Sequence, residues 1–331
     1  MLHTLNSREV RIFSGSSHPR LAEQIANNLG LELTPTLHEK FSNDNLFIQL
    51  GDTVRNRSVF IVQSLTKPVS EHLFELFMML NAARSAGAGQ VHAVIPYFSY
   101  ARSDKKNAPR ISITARLIAD LLQTAGATQV LTMTLHSPQV HGFFSIPIDP
   151  LTARSLFATY LGKIDNNPDT TVVAAPDYGR AGSAARLGSL LGLPTISAEK
   201  TRISDTIVRV SPLLKKQVEG FRRAILYDDE IATGGSIVEV SKMLIEGGVK
   251  EIVVCCTHGV FVRNAIERIF AIPEIQELVT TDTVPQHETV HSRKITVLPV
   301  APLLADAIYC NHTGESIGNM FAYWEDFKLM N

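Results

Sequence analysis

The chain alternates short apolar runs with stretches whose apolar residues recur at helical spacing. One pair joins the run Val59–Leu65 to the segment Glu71–Arg84, in which apolar side chains fall on one helix face. The run Val91–Tyr97 is likewise followed by a helical pattern at Thr114–Thr124, and a new run begins at Gln129–Leu135. Strands that are apolar almost throughout are typical of parallel sheets covered by helices on both faces. This half of the chain therefore predicts an α/β domain with a mostly parallel sheet.

The second half of the chain repeats this rhythm. Its predicted strand and helix pairs are Thr171–Asp177 with Ala181–Leu191, Arg223–Asp229 with Ile237–Glu246, and Glu251–Gly259 with Val262–Phe270. The order and spacing match those of the first half, so two similar α/β domains are predicted, with a join near Asp149–Thr152. Ligands of open parallel sheets bind beyond the carboxyl ends of the strands, so the residues after each strand are the first candidates for a site.

Composition narrows the class of protein. The chain has 331 residues, with 31 Lys and Arg against 32 Asp and Glu, and 45% of its residues are hydrophobic, which supports sizeable cores and excludes wholesale disorder. The formal net charge of −1 argues against nucleic acid or an anionic membrane as a partner. No apolar run reaches the roughly 18–20 residues of a membrane span, and the first residues lack the layout of a secretion signal. Two of the three cysteines are adjacent in an apolar run, so we expect a reduced, cytoplasmic protein.

The strongest local motif follows the apolar run that ends at Tyr227. It reads Asp228-Asp229-Glu230-Ile231-Ala232-Thr233-Gly234-Gly235-Ser236 and leads into a predicted helix. The glycines let backbone N–H groups face one point, the helix start adds its positive dipole end, and the hydroxyls of Thr233 and Ser236 can donate as well. The two carboxylates can accept hydrogen bonds from two sugar hydroxyls, so the string predicts a sugar-phosphate site. Taken alone, the Asp-Asp pair could be only an acidic strand end, and Thr-Gly-Gly alone could be only a glycine turn, neither with a ligand.

The joined string resembles the phosphoribosyl-diphosphate signature of type I phosphoribosyltransferase-like proteins. Five further segments occur in the order seen in ribose-phosphate diphosphokinases, the synthetases that make phosphoribosyl diphosphate. They are FSNDNLFIQL (Phe41–Leu50), VIPYFSYARSDKK (Val94–Lys106), TLHSPQVHGFF (Thr134–Phe144), APDYGR (Ala175–Arg180) and AEKTR (Ala198–Arg202). The resemblance runs from about Ile12 to Phe321. The segments that contain Tyr97 and His136 are the most specific, because simple transferases lack that half.

The resemblance implies both an architecture and a reaction. Residues 1–150 would form a phosphoribosyltransferase-like domain on the ATP side with oligomer contacts, residues 151–302 a similar domain with the ribose 5-phosphate site, and residues 303–331 a segment packed back on the first domain. The reaction would transfer the β,γ-diphosphate of ATP to the C1 hydroxyl of ribose 5-phosphate, with Mg²⁺ as cofactor, to give phosphoribosyl diphosphate and AMP. Family members form dimers that stack into hexamers, so a homo-oligomer is expected.

The resemblance also implies roles for residues at matching positions. The implied catalytic cations are Lys200 and Arg202, and the implied metal contacts are His136 and Asp177. The implied ATP-binding residues are Phe41, Asn43, Asn45, Arg102, Ser103 and Asp104. The implied ribose 5-phosphate-binding residues are Arg202, Asp228, Asp229, Ala232, Thr233, Gly234, Gly235 and Ser236. Without the surrounding motifs, His136 would be a polar strand cap, Lys200 a solvated loop charge and Phe41 an ordinary core residue.

Three segments depart from the family pattern at the expected site. Asn43 and Asn45 replace carboxylates of the adenine loop, and amides can donate hydrogen bonds as well as accept them. Thr134 replaces an Asp close to the metal, so a lower Mg²⁺ affinity is expected. Ala232 replaces the Asp before Thr-Gly-Gly, as in adenine phosphoribosyltransferases, and sugar-phosphate binding should persist.

A fourth departure concerns regulation. The residues Val300, Ala301 and Pro302 stand where the commonest class carries small hydroxyl side chains that help bind phosphate or ADP. An apolar turn does not replace those hydrogen bonds. We therefore expect weak phosphate activation and weak ADP inhibition by that route.

Two other functions are open at this point. A transferase that consumes phosphoribosyl diphosphate would explain the string at 228–236 but not the segment Thr134–Phe144. A non-catalytic regulatory subunit would explain the replaced residues Asn43, Asn45 and Thr134, but it has no chemical need for the basic pair at 200 and 202. Release of AMP from ATP and ribose 5-phosphate distinguishes the three.

Overall fold

The computed structural model describes residues 3–164, 166–198, 200–202, 208–210, 213–286 and 294–321, without the side chains of 200–202, 208–210, 213 and 319. The chain divides into two compact units. Unit 1 comprises Met1–Thr152, Thr283–Pro285 and Pro299–Asn331, and unit 2 comprises Ala153–Asp282 and Gln286–Leu298. The chain therefore leaves unit 1, builds unit 2 and returns to unit 1. Each unit has a mostly parallel sheet with helices, which confirms the predicted α/β class.

Unit 1 is built on a five-stranded parallel sheet. In sheet order the strands are β1 (Val10–Ser14), β4 (Ser58–Val62), β5 (Gln90–Ile95), β6 (Gln129–Met133) and β7 (Ile148–Leu151), with elements numbered in chain order. The helices of this unit are α1 (Pro19–Asn28), α2 (Val69–Ser85), α3 (Thr114–Ala125) and α9 (Ala301–Thr313). The register pairs Phe13 with Ile61 and Ile61 with Ala93. All three residues are buried in one core with Leu76 of α2 and Ile118 of α3, because strands apolar on both faces need helices to cover them.

A separate antiparallel hairpin belongs to unit 1 and was not predicted as a pair of strands. It joins β2 (Thr36–Lys40) to β3 (Leu46–Leu50). Neither strand contains a fully buried residue. Leu46, Ile48 and Leu50 of β3 alternate on a half-buried face, whereas β2 is exposed after its first residue. In the connecting turn the N–H of Phe41 donates to the carbonyl of Asn45 at 2.8 Å, and Asp44 has a left-handed φ of 71°.

Unit 2 is built on a six-stranded parallel sheet. In sheet order the strands are β15 (Ile295–Leu298), β14 (Ile275–Thr281), β13 (Glu251–Gly259), β12 (Arg223–Ile231), β8 (Thr171–Ala175) and β9 (Thr195–Ser197). A short antiparallel pair adds β10 (Lys200–Arg202) and β11 (Val208–Val210). The helices are α4 (Arg154–Leu161), α5 (Ala181–Leu191), α6 (Leu213–Gln217), α7 (Gly235–Glu246) and α8 (Ala265–Phe270). Leu226, Val254 and Leu278 of the central strands are buried in one core with Val240 and Leu244 of α7.

Several predicted boundaries differ from the structure, most of them because predicted strands such as Val59–Leu65 end two or three residues earlier, and two further differences have clear physical reasons. Strand β12 continues to Ile231 rather than ending at Asp229, because Glu230 and Ile231 still pair with β13. Helix α8 begins at Ala265 rather than at Val262, because Phe261 and Arg263 have φ values of 40° and 58°, which a right-handed helix cannot contain. Among the helices in the described ranges, none combines the length and the apolar character of a membrane span.

Candidate functional site

Three candidate carboxylates lie close together in unit 2. Asp177 follows β8, while Asp228 and Asp229 lie in β12, the strand paired with β8. The side chains of Asp228 and Asp229 are buried, with 8% and 4% exposure. The backbone N–H of Asp229 donates to Oδ1 of Asp228 at 2.8 Å. Adjacent parallel strands therefore bring the three acids to the same edge of the sheet, where ligands of such sheets bind.

Burial and the neighbouring carboxylates disfavour ionisation of Asp228. Burial raises the pKa of Asp228 well above its ordinary range, and the neighbouring charge of Asp229 raises that pKa further. Asp177 acts in the same direction, and Arg180 acts in the opposite one. A ligand that brings a cation or hydrogen-bond donors would stabilise the ionised carboxylates. The cluster is therefore chemically matched to a ligand with hydroxyl groups.

Arg180 supplies a positive charge to this cluster. Its Nη1 lies 3.4 Å from Oδ2 of Asp229, and its side chain is largely buried. Its backbone N–H donates to Oδ1 of Asp177 at 3.1 Å. One residue thus contacts two of the three carboxylates. Sequence reasoning missed this role because the partner Asp229 lies far along the chain from the segment that contains Arg180.

The glycine-containing segment after β12 forms the turn into α7. Gly234 is the N-cap, with a left-handed φ of 72°, and as a glycine it has no side chain with which to cap the helix. A Cβ atom at Gly234 would also lie 3.2 Å from the side chain of Ile269, so both conformation and packing require glycine. The first N–H groups of a helix have no partner within it, so those of Gly235 and Ser236 can bind an anion. Thr233 is exposed beside them.

Arg268 contacts the same turn and was not predicted. Its Nη1 donates to the carbonyl of Thr233 at 3.2 Å. The contact holds one carbonyl of the turn and places a positive charge beside it. An arginine on the polar face of a short amphipathic helix gives no signal of this role in the sequence.

The candidate ATP residues of unit 1 lie on two different segments. Phe41, Asn43 and Asn45 are exposed in the turn between β2 and β3. Phe41 is 50% exposed, which excludes the alternative of an ordinary core residue, and its ring centroid is 5.7 Å from that of Phe47. An exposed aromatic ring and two exposed amides are suited to stacking on a planar base and to hydrogen bonding with its edge.

The second segment follows β5 and contains Arg102, Ser103 and Asp104. The hydroxyl of Ser103 accepts from the N–H of Thr114 at 3.1 Å and donates to the carbonyl of Ser112 at 3.3 Å. Ser103 therefore fixes this loop to the start of α3. Arg102 is exposed and Asp104 is half-buried beside it.

His136 follows β6 and is half-buried. The backbone turns sharply just before it, because Thr134 has a left-handed φ of 42°, which is uncommon for a β-branched residue. The N–H of Thr134 donates to the carbonyl of Leu151 at 2.8 Å, and Leu135 is buried. In the part of the chain that the structure describes, His, Cys, Asp and Glu do not gather in groups of three or more that could hold a metal.

The remaining two candidates are Lys200 and Arg202 of β10. Their backbones pair with Val210 and Val208 of β11. Their side chains lie outside the described residues.

Comparisons with known proteins agree with this picture. Residues 10–126 match the model of the N-terminal domain of ribose phosphate pyrophosphokinase, and residues 194–322 match that of the phosphoribosyl synthetase-associated domain. A putative ribose-phosphate pyrophosphokinase of Streptomyces coelicolor is 46% identical, covering 95% of this chain and 98% of the relative. The ribose-phosphate pyrophosphokinase of Deinococcus radiodurans is also 46% identical, covering 96% of this chain and all of the relative.

A solved structure gives the same result for the fold. The crystal structure of the phosphoribosylpyrophosphate synthetase from Mycobacterium smegmatis has a TM-score of 0.85 and 36% identity, covering 92% of this chain and 99% of that one. The resemblance first noted in the motifs is therefore confirmed over nearly the whole length. The chain belongs to the ribose-phosphate pyrophosphokinase family of enzymes.

Proposed function

We propose that this chain transfers the β,γ-diphosphate of ATP to the C1 hydroxyl of ribose 5-phosphate, giving phosphoribosyl diphosphate and AMP. One observation in particular supports this proposal. The buried pair Asp228 and Asp229 precedes a helix start whose N-cap, Gly234, has no side chain with which to occupy the first N–H groups. Two acceptors for hydroxyls and a set of N–H donors for a phosphate are what a pentose monophosphate requires.

In this proposal unit 2 binds the sugar phosphate. Asp228 and Asp229 accept hydrogen bonds from the ribose hydroxyls. The turn from Ala232 to Ser236 binds the 5-phosphate, and Arg202 adds a cation to the same substrate. The ordered contact of Arg180 with Asp229 keeps one carboxylate in place before the sugar arrives.

Unit 1 supplies the nucleotide contacts in this proposal. Phe41 stacks on the adenine ring, and the amides of Asn43 and Asn45 hydrogen-bond to it. Arg102, with Ser103 and Asp104 beside it, contacts the rest of ATP, where a guanidinium can bind phosphate oxygens in pairs.

The donor chemistry of the described residues fits Mg²⁺. Magnesium prefers carboxylate oxygens and usually retains waters and substrate phosphates among its ligands, so few protein ligands are needed. Burial and the charges of Asp229 and Asp177 also raise the pKa of Asp228, an effect that a bound cation would oppose. We propose Asp177 and His136 as metal contacts. When bound, the metal would neutralise charge on the triphosphate.

The chemistry itself requires positioning more than covalent participation. The C1 hydroxyl oxygen forms a bond to the β-phosphorus, and the bond from that phosphorus to the oxygen bridging to the α-phosphate breaks. AMP leaves with the bridging oxygen, and the hydroxyl proton is released. Lys200 and Arg202 act as cations for the transferring phosphates, Lys as a compact charge and Arg as a fork that can bind two oxygens.

The test is release of AMP from ATP and ribose 5-phosphate in the presence of Mg²⁺. The transferase alternative instead predicts diphosphate release from phosphoribosyl diphosphate and a base, and the regulatory-subunit alternative predicts nucleotide binding without turnover. Asp229→Asn should raise the KM for ribose 5-phosphate by about tenfold or more, because a charge-assisted hydrogen bond contributes roughly 1.5–3 kcal/mol. Glu239→Gln, which removes an exposed acid from α7, is the matched control.

Two further properties are proposed with the function. The first is a dimer-based homo-oligomer, as large as a hexamer, which light scattering of the purified protein would measure. The second is weak stimulation by inorganic phosphate, since Val300, Ala301 and Pro302 begin α9 without a side-chain hydrogen bond at its cap. A sharply sigmoidal rate that depends on phosphate would contradict the second.

A further inference from the structure

The hairpin of β2 and β3 has no fully buried residue, and its apolar packing on the core of unit 1 is confined to half-buried side chains of β3 such as Ile48 and Leu50. Leu37 and Phe47 are 44% and 36% exposed, and the turn beyond them is exposed throughout. Helix α2 packs against β3. A two-stranded ribbon alone is marginally stable in water, so its orientation depends on specific contacts with the rest of unit 1.

An inner contact joins β2 to a buried carboxylate of α2. The ring of His38 lies between two acceptors: Nε2 is 3.2 Å from the carbonyl of Ser14, and Nδ1 is 3.5 Å from Oε1 of Glu75. Glu75 is 4% exposed and, besides this ion-pair contact, accepts three hydrogen bonds, from the N–H and hydroxyl of Ser16 at 2.5 and 2.6 Å and from Nε2 of Gln63 at 3.1 Å. A buried carboxylate with this many donors is held in one position.

A second, outer contact pairs Lys40 of β2 with Glu71 of α2, nearer to the turn. Lys40 is two residues beyond His38 on β2, and Glu71 is one turn before Glu75 on α2, so the two pairs match in spacing. Nζ of Lys40 is 3.1 Å from Oε2 of Glu71 and 2.8 Å from Oδ1 of Asp44 in the turn. Lys40 therefore links the helix to the turn directly. This pair is solvent-exposed, so the inner pair carries most of the anchoring.

We propose that His38 and Glu75, with Lys40 and Glu71 as an outer pair, are positioning residues that fix the turn Phe41–Asn45 for recognition of adenine. The proposal rests on the proposed role of Phe41, Asn43 and Asn45 in binding ATP. A turn that is fixed before the nucleotide arrives loses less conformational entropy on binding, so its contacts give tighter and more selective binding.

The test compares His38→Leu with Glu39→Gln in the full chain. Glu39 lies between His38 and Lys40 on the same strand and is exposed, so its variant controls for a side-chain change in β2. Calorimetry would measure the dissociation constants of ATP, GTP and ribose 5-phosphate. For His38→Leu we expect the ATP constant to rise about tenfold and the preference for ATP over GTP to fall, with the ribose 5-phosphate constant unchanged. Hydrogen exchange of the amides at 36–50 should accelerate in His38→Leu and not in the control.

The outcomes separate this inference from the proposed reaction. Unchanged exchange and unchanged ATP binding in His38→Leu would overturn it, and so would faster exchange with unchanged ATP binding. Equal weakening of ATP and ribose 5-phosphate binding would indicate a general loss of structure and would also overturn it. Where His38→Leu does not fold, Lys40→Met tests the exposed outer pair, with the same selective loss expected at about twofold. A wild-type chain that binds ATP and forms no AMP would refute the reaction and leave this binding test intact.

Discussion

The loops that follow β1 and β12 have the same order of elements, but their backbone N–H groups have different hydrogen-bonding partners. Each connects a parallel strand to a helix through a glycine-containing turn. In unit 1 the loop N–H groups are taken by the chain itself: Ser16 donates to Glu75 and Ser17 donates to Oε1 of Gln63 at 3.1 Å. His18 then caps α1 by accepting from the N–H of Leu21. In unit 2 the N-cap of α7 is Gly234, which has no side chain with which to cap the helix.

The difference shows how one local pattern serves either structure or ligand binding. A Cβ atom at Gly15 would lie 2.3 Å from Oε1 of Gln63, so glycine in unit 1 makes room for an internal side chain. In unit 2, Gly234 instead adopts a left-handed backbone conformation, with a φ of 72°. The two loops share a strand, a glycine and a helix start. Their roles differ because side chains of unit 1 accept hydrogen bonds from the loop N–H groups there, whereas in unit 2 we propose that a ligand does so.

The largest effect on activity should follow from removing Lys200, the lysine of unit 2 that we propose acts on the transferring phosphates. Lys200→Ala should lower kcat by about 10²–10⁴-fold, because a charge that stabilises the transition state is lost, while the free energy of unfolding stays nearly constant. Steady-state AMP release and urea unfolding would measure the two quantities. Lys242→Ala removes an exposed lysine from α7 as a control. Near-full kcat in Lys200→Ala would remove this residue from the mechanism.

Matched glycine substitutions test the two loops directly. Gly15→Ala should lower the free energy of unfolding by about 1–3 kcal/mol, because Gln63 is buried and bonded and cannot move aside freely. Gly234→Ala should raise the KM for ribose 5-phosphate by about tenfold, because a left-handed alanine costs about 1–2 kcal/mol in the turn. Thermal unfolding and AMP-release kinetics would be measured on both variants. The comparison would be refuted if Gly15→Ala raised the KM for ribose 5-phosphate and Gly234→Ala only lowered the free energy of unfolding.

The two units should also respond oppositely to pH. Burial, aided by the charge of His312, lowers the pKa of His92 in unit 1 from 6.5 to about 4. Between these values the unfolded chain binds more protons, so stability falls by about 1 kcal/mol from pH 7 to pH 5.5 through this group. The raised pKa of Asp228 in unit 2 has the reverse sign: the folded chain binds more protons, and stability is lost as pH rises through the raised pKa.

Urea unfolding at the two pH values would measure these contributions. His92→Gln should reduce the loss on acidification, and Asp228→Asn should reduce the loss on raising the pH. If the free energy of unfolding changed with pH in both variants as it does in the wild type, neither group would set the pH dependence.

The smallest effect concerns the end of β6 in unit 1. Thr134→Asn should raise the free energy of unfolding by about 0.5–1 kcal/mol, because Asn tolerates the left-handed conformation better than a β-branched residue. Thr134→Asp should give a similar gain, and it alone should also lower the Mg²⁺ concentration needed for half-maximal AMP release. Equal Mg²⁺ dependence in both variants would show that position 134 does not influence the metal.

The sequence predicted the elements whose residues are buried. Apolar runs such as that at β5 and helical spacing such as that at α5 identify strands and helices because burial imposes those patterns. The hairpin of β2 and β3 is not predicted as strands, because β2 is almost wholly exposed and the apolar face of β3 is short and only half-buried. The end of β12 was placed too early because Glu230, although it pairs with β13, is polar.

The candidate site divides in the same way. Asp228 and Asp229 could be predicted, since their chemistry and their place on a strand are both visible in the sequence. The contacts of Arg180 with Asp229 and of Glu75 with Ser16 could not, because each joins positions far apart in the chain. The charge environment of a site follows from tertiary contacts, and local patterns carry no record of them.

Helix α9 bears on the order in which the molecule can assemble. It packs against α1, and its Asn311 donates to Oδ2 of Asp149 at 3.1 Å. All of unit 2 lies between this helix and the earlier residues of unit 1. During synthesis the first 152 residues leave the ribosome well before α9, so unit 1 waits for its last helix with an apolar surface uncovered. A nascent chain in that interval is a substrate for chaperones, and a chain cut before Ala301 would keep every strand and helix of unit 2 and never complete unit 1.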